Sequence, residues 1–117
     1  IMQTPSFPIY LAGEFVTSEQ NIDVINPYDK SLIAQTWLAS SNQINQAIDK
    51  ALAVKTQLAN LPSYKRYEIL MFIAAEIKKQ KEEFALLLSR EAGKPLKYAL
   101  AEIDRSIQTF TIAAEES

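Results

Sequence analysis

The sequence LKYALAEIDRSIQTFTIAA, residues 96–114, decides how the second half of this chain folds. Its apolar residues recur at alternating spacings of four and three positions, which places them on one face of a helix. This seam consists of Leu96, Leu100, Ile103, Ile107, Phe110 and Ala114. Because the charged residues fall elsewhere, the stretch predicts an amphipathic helix whose seam packs on other helices or on a partner.

Three stretches before this helix show the same period. Ser40 and Gln43 fit a capping box at the start of the first, since each side chain can bond to the other's backbone N–H. Pro62-Ser63 predicts a break and a cap for the second helix, and Gly93 followed by Pro95 predicts the end of the third. Their apolar faces are Ile44, Ala47, Ile48, Ala51 and Leu52, then Ile69, Leu70, Ile73, Ala74 and Ile77, then Phe84, Leu87 and Leu88.

The first forty residues have a different pattern, with short β-branched runs separated by turn residues. Gly13 allows a tight turn between the first two runs, and Pro27 has no N–H to give to a sheet, so Asn26-Pro27 ends the third. The predicted strands are residues 9–12, 15–17, 22–25 and 32–39. We therefore predict a small amino-terminal antiparallel β segment within residues 1–39 and about four helices within residues 40–117, so that the chain is mostly α-helical.

The composition excludes several kinds of active site. The chain contains no cysteine and no histidine, and therefore neither a thiolate nucleophile nor the usual neutral-pH base and zinc ligand. Two isolated glycines, Gly13 and Gly93, cannot build a phosphate-binding loop. A net charge of −2 does not favour nucleic acid as a partner, and no apolar run reaches the roughly 18 residues of a membrane span. We assign no catalytic and no cofactor-binding residue.

Several motifs follow one another in an order that is more specific than any one of them. A strand follows Asn26-Pro27, one helix begins near Ser40, and the next contains Arg66. The longer motifs are Val24-Ile25-Asn26-Pro27, Glu91-Ala92-Gly93-Lys94-Pro95, Ala101-Glu102-Ile103-Asp104 and Ala113-Ala114-Glu115-Glu116. From about Ile9 to Ser117 the chain resembles the NAD(P)-dependent aldehyde dehydrogenase superfamily.

The resemblance implies an α/β fold and a place at the amino-terminal end of much longer enzymes. Residues 40–117 would then be the helical part of an incomplete cofactor-binding domain, and residues 1–39 a β segment and arm. The family's nucleophilic cysteine, general-base glutamate and oxyanion-site asparagine lie beyond Ser117, as do most of its dinucleotide-binding motifs. We expect an amino-terminal fragment, inactive alone, of an enzyme that oxidises an aldehyde to a carboxylic acid with NAD(P)+.

The resemblance also implies the cofactor and partners of the parent enzyme. These are NAD or NADP, an aldehyde substrate and further copies of the same chain, in the cytoplasm. No cofactor is expected to bind to these 117 residues alone. The identity of the aldehyde and the choice between NAD and NADP depend on residues outside this sequence.

One acidic residue carries a metal hypothesis that comes from the resemblance. In related enzymes an acidic residue at the position of Glu102, with backbone carbonyls near the Asn-Pro motif, can hold a structural monovalent cation. Here the ligands would be the Glu102 carboxylate and the carbonyl of Ile25, and hard cations prefer such oxygen atoms. The alternative is that Glu102 is a solvated carboxylate or pairs with a neighbouring side chain.

The lysines allow two interpretations. Lys94 could contact a phosphate, but Gly93 and Pro95 favour a helix end followed by a helix start. Lys78, Lys79 and Lys81 could form an anion-binding patch. Because Glu76, Glu82 and Glu83 are interleaved with them, a solvated helix face paired with its own glutamates is the favoured interpretation.

A different class of function is a free-standing helical module with a β-hairpin arm, in which the seam of residues 96–114 binds a partner or a second copy. Ser117 follows a helical pattern without a Gly, Asn or Pro stop, which favours truncation of a longer protein. If these residues fold alone, we expect self-association, with exchange of helices as one route, because large exposed apolar patches are uncommon in monomers.

Overall fold

The computed structural model describes residues 3–117. The strands are β1 Ser6–Phe7, β2 Ile9–Leu11, β3 Glu14–Val16, β4 Asn21–Ile25 and β5 Leu32–Trp37. The helices are α1 Ser41–Ala59, α2 Ser63–Lys79, α3 Lys81–Ala92 and α4 Leu96–Glu116. The mostly helical fold with about four helices is confirmed.

The chain forms two compact units, Ile1–Asn60 and Leu61–Ser117. The described strands and α1 belong to the first unit, and α2, α3 and α4 belong to the second. The two units are defined by contacts between residues. The expected boundary after residue 39 is defined differently, by the change from strands to helices. That expected domain division stays a prediction.

Antiparallel pairs make up most of the β structure. β2 pairs with β3, and β4 pairs with β5 with an irregular register between Val24 and Ile25. The structure adds one parallel pair that was not predicted, between β1 and β5, which aligns Ser6 with Gln35 and Phe7 with Thr36. A strand of two residues has no alternating pattern to detect in sequence.

The helix ends show which local signals determine structure. Ser40 and Gln43 form the predicted capping box, with N–O distances of 3.1 and 3.0 Å. Gly93 has φ of 67°, in the left-handed region, as a helix end requires. The predicted break at Pro62-Ser63 is confirmed, since α1 ends at Ala59 and α2 begins at Ser63. Pro62 occupies the cap position, but no described side chain bonds to the first N–H groups of α2. The Arg66 guanidinium instead donates to the Leu61 carbonyl just before the helix.

A two-residue turn joins β2 to β3. Ala12 and Gly13 have φ of 51° and 88°, and Leu11 pairs with Glu14 around them. A hairpin turn of this kind needs positive φ at both central residues. Gly13 adopts this geometry without strain, but Ala12 carries a Cβ that disfavours it.

We predict that Ala12→Asn stabilises the hairpin, since asparagine tolerates positive φ better than alanine. The free energy of unfolding should rise by about 0.5–1 kcal/mol, as measured by urea denaturation. The control is Ala53→Asn, at an exposed position of α1, which should lower it because asparagine is a poorer helix former. If both substitutions changed the free energy of unfolding equally, Ala12 would not be strained.

The connection from β4 to β5 is a turn held by its own side chains. The Tyr28 N–H donates to Asn26 Oδ1 at 2.9 Å. The Ser31 hydroxyl and N–H both donate to Asp29 Oδ1, at 2.6 and 3.0 Å. These two bonds, the hydroxyl bond first, lower the pKa of Asp29 below its ordinary value. The expected end of the strand at Asn26-Pro27 is confirmed.

Alanine residues form the contacts in the core of the second unit. α4 packs against both α2 and α3, and the buried residues of these helices are Ala74, Ala85, Ala99 and Ala114. Ala99 and Ala85 lie outside the predicted apolar faces, while Leu96 at the start of the predicted seam is 44% exposed. A methyl side chain allows two helices to approach closely, and larger side chains then project beside the contact.

We predict that Ala99→Leu destabilises the second unit by about 1–3 kcal/mol, because the added atoms overfill a packed contact. The matched control is Ala101→Leu, since Ala101 lies on the same helix but is exposed. It should change the free energy of unfolding by no more than about 0.5 kcal/mol. Urea denaturation of the two variants measures the difference, and equal losses would show that Ala99 is not tightly packed.

Large apolar side chains remain exposed in both units. No described residue of α1 is buried, and Ile44, Ile48, Leu52 and Leu58 are 51–62% exposed. The chain exposes 9090 Å² in all, whereas two separate globular units of half its mass would expose about 7,700 Å² together. The chain therefore leaves more surface uncovered than its mass explains, and the exposed side chains of α1 contribute to it.

Candidate functional site

One face of α4 lines an open hollow of about 320 Å³. The lining residues are Glu102, Arg105, Ser106, Thr109 and Phe110. Their spacing of three, four, seven and eight positions from Glu102 places all five on one side of the helix. The hollow thus combines a carboxylate, a guanidinium, two hydroxyl groups and an aromatic ring.

Glu102 is paired with a lysine from the connection between α3 and α4. The Lys94 Nζ donates to Glu102 Oε1. The Ser89 hydroxyl donates to the Lys94 carbonyl at 2.6 Å, which fixes the backbone of this connection. The interpretation in which Glu102 pairs with a neighbour is what the structure shows, and the Lys94 ammonium is directed at this carboxylate.

A second ion pair joins α3 to α4. The Lys81 Nζ lies 2.7 Å from Asp104 Oδ1. The prediction that Lys81 pairs with glutamates of its own helix face is wrong, because its partner comes from another helix. Lys81 begins α3, where the positive end of the helix dipole disfavours a lysine, so the carboxylate of Asp104 compensates.

Arg105 differs from the charged residues around it. It is exposed, and among residues 3–117 it belongs to none of the ion pairs. The hydroxyl groups of the hollow bond back to their own helix, Ser106 to the Glu102 carbonyl at 3.1 Å and Thr109 to the Arg105 carbonyl at 2.9 Å. The guanidinium is therefore the unpaired charge of this hollow within the described part of the chain.

A guanidinium in this setting suits an anionic ligand. Its planar N–H groups match two oxygens of a carboxylate, phosphate or sulfonate at once. The sequence analysis did not identify Arg105, because an arginine among acidic residues on the polar side of a helix usually indicates a solvated face. Only the pairing of its acidic neighbours with lysines distinguishes it.

The structure places the two predicted cation ligands in different units. Ile25 ends β4 in the first unit, and Glu102 lies on α4 in the second. A monovalent cation would have to share the Glu102 carboxylate with the Lys94 ammonium. No group of three His, Cys, Asp or Glu residues within residues 3–117 could hold a metal ion. The cation hypothesis stays a prediction.

A second hollow, of about 580 Å³, lies in the first unit. Its polar side chains already bond to the backbone of that unit. The Gln43 amide donates to the Thr17 carbonyl at 2.9 Å, and the Ser18 hydroxyl donates to the Leu38 carbonyl. These bonds connect the strands to the start of α1, and we interpret this hollow as structural.

Comparison with known proteins identifies the family. A sequence model described as the aldehyde dehydrogenase family matches residues 15–117. The chain belongs to the aldehyde dehydrogenase family. The resemblance seen in the order of its motifs is thereby confirmed. Within residues 3–117, no helix of this family member combines the length and apolar character needed to cross a membrane.

Curated members of the family are much longer than this chain. It is 44% identical over 106 residues to a lactaldehyde dehydrogenase of Methanocaldococcus jannaschii, an alignment that covers 91% of this chain and 23% of that protein. It is 33% identical to a 3-sulfolactaldehyde dehydrogenase of Priestia aryabhattai, with 100% and 24% covered. The chain thus spans about a quarter of the length of the curated relatives it matches.

Solved structures of the family contain the same arrangement. Aldehyde dehydrogenase 21 of Physcomitrella patens, in complex with the reaction product succinate, superimposes with a TM-score of 0.93 at 36% identity, covering 98% of this chain and 24% of that chain. Glyceraldehyde-3-phosphate dehydrogenase GapN of Methanocaldococcus jannaschii, complexed with NADP, gives 0.79 at 47% identity, with 82% and 21% covered. These structures confirm the fold class expected from the sequence.

Proposed function

We propose that this chain is the amino-terminal portion of an aldehyde dehydrogenase that oxidises an aldehyde to a carboxylic acid with NAD or NADP. The observation that carries the proposal is the family match over residues 15–117. Since the sequence contains neither cysteine nor histidine, the nucleophile would come from the rest of the enzyme. These residues alone would be inactive, with no cofactor bound.

The relatives support the nicotinamide cofactor of the parent enzyme. NADP is bound in the GapN structure, which supports a nicotinamide cofactor for the parent of this chain. The uncovered apolar surface of α1 supports burial by further protein, either the rest of the enzyme or a second copy. A homo-oligomer in the cytoplasm is part of the proposal, as is an aldehyde as the small-molecule partner.

The second candidate function is a free-standing self-association module, which the exposed apolar residues of α1 also favour. The mass of the intact gene product distinguishes the two. We expect a product about four times 13.2 kDa, in keeping with the share of the relatives that is covered, and NAD(P)-dependent aldehyde oxidation by it. A product of 13.2 kDa that sediments as an oligomer would instead establish the module.

We further propose that the substrate is a short aldehyde with an anionic group. Among the named relatives, two are enzymes of 3-sulfolactaldehyde and glyceraldehyde 3-phosphate and one holds succinate as product, molecules that carry a sulfonate, phosphate or carboxylate group. The lactaldehyde dehydrogenase differs from these, because lactaldehyde is uncharged. The unpaired guanidinium of Arg105 in the hollow on α4 supports a contact with such a group.

We predict that Arg105→Gln in the intact enzyme raises KM for an anionic aldehyde about ten- to a hundredfold, because a charge-assisted hydrogen bond is lost. KM for an uncharged aldehyde of the same length should change little. The control is Arg90→Gln, on the last turn of α3 and outside the hollow. Steady-state kinetics with both aldehydes measures the effect, and equal changes for both would refute the contact.

A further inference from the structure

Arg105 has a competitor for its guanidinium on its own helix. Glu102 lies three residues earlier, and residues at this spacing face each other on a helix surface. Both side chains line the same hollow. Asp104 is adjacent in sequence but is not part of the hollow and pairs with Lys81. Glu102 is therefore the carboxylate that could occupy Arg105 in place of an external anion.

In the structure, Lys94 pairs with Glu102 and so keeps this carboxylate from pairing with Arg105. Its ammonium group donates to Glu102 Oε1, and both side chains are part-buried. Two features fix the point from which Lys94 extends, namely the left-handed backbone at Gly93 and the bond from the Ser89 hydroxyl to the Lys94 carbonyl. The lysine therefore approaches Glu102 from a defined connection between α3 and α4.

We infer that Lys94 is a positioning residue for substrate specificity: it holds and neutralises Glu102, so that Arg105 stays available to the anionic group of the substrate. This inference rests on the proposed function. Without Lys94, the Glu102 carboxylate would pair with Arg105 and would also repel an anion that enters the hollow. Lys94 itself does not contact the substrate, because its charge is used by Glu102.

The charge arithmetic supports this role over a purely stabilising one. A part-exposed ion pair stabilises a fold by only about 0–1 kcal/mol. The same pair cancels the negative charge of Glu102 beside Arg105, so that the net charge of the two side chains is zero. Loss of Lys94 should therefore change the charge next to an anionic ligand strongly and the stability of the helices only slightly.

The test is a set of variants at these positions in the intact enzyme. We predict that Lys94→Gln raises KM for the anionic aldehyde about twofold, the strength of a released helix ion pair, with kcat unchanged. Lys94→Gln combined with Glu102→Gln should restore KM, because the competing carboxylate is gone. Lys94→Arg should keep KM near that of the parent, because it keeps the positive charge.

Two controls separate this effect from structural damage. Lys81→Gln releases Asp104, which lies outside the hollow, and should leave KM for the anionic aldehyde unchanged. KM for the uncharged aldehyde should stay constant in all these variants. The effect of Lys94→Gln should also shrink at high salt, because salt screens exposed charges.

The outcomes are distinct for the two proposals. If Lys94→Gln and its combination with Glu102→Gln raise KM equally, Lys94 has only a structural role and the inference is overturned. The same holds if Lys94→Gln has no effect while Arg105→Gln raises KM. If Arg105→Gln has no effect on the anionic aldehyde, the substrate contact in the proposed function fails as well.

Discussion

The close approach of α4 to α2 and α3 is the constraint on which the second unit depends. It is possible because the contact positions carry alanine, at Ala74, Ala85, Ala99 and Ala114. Methyl groups leave the helix backbones close together and fix the rotation of α4 about its own axis. With that rotation fixed, the side of α4 that carries Glu102 and Arg105 lines the hollow instead of the core.

The ion pairs around this hollow act on its charge more than on stability. Exposed pairs such as Lys81–Asp104 contribute little to the free energy of unfolding. Together with Lys94–Glu102, however, they neutralise the two carboxylates nearest to Arg105 in sequence. α4 carries four acidic and two basic residues, and these pairs leave Arg105 as the charge in the hollow that has no ionic partner among residues 3–117. This connects the packing of α3 and α4 to the anionic substrate class proposed for the parent enzyme.

The first unit obtains its order from local hydrogen bonds and from strand pairing. The capping box at Ser40 and the turn at Asp29 satisfy backbone groups with side chains a few residues away. Its helix α1, in contrast, has no buried residue in the described chain. Apolar side chains of this size are normally covered in a folded protein. That uncovered face agrees with a chain that spans about a quarter of its relatives' length.

The sequence by itself determined the helix ends at Ser40 and Gly93, the strand end at Pro27 and the family, because each depends on local backbone chemistry or on the order of motifs. The tertiary structure alone decided that Ala85 and Ala99 are fully buried, that β1 pairs with β5, and that Arg105 has no ionic partner among residues 3–117. These features depend on which side chains from different elements meet in space. The spacing of apolar residues shows which face of a helix is buried. It does not show which other element contacts that face, or at which position along the helix.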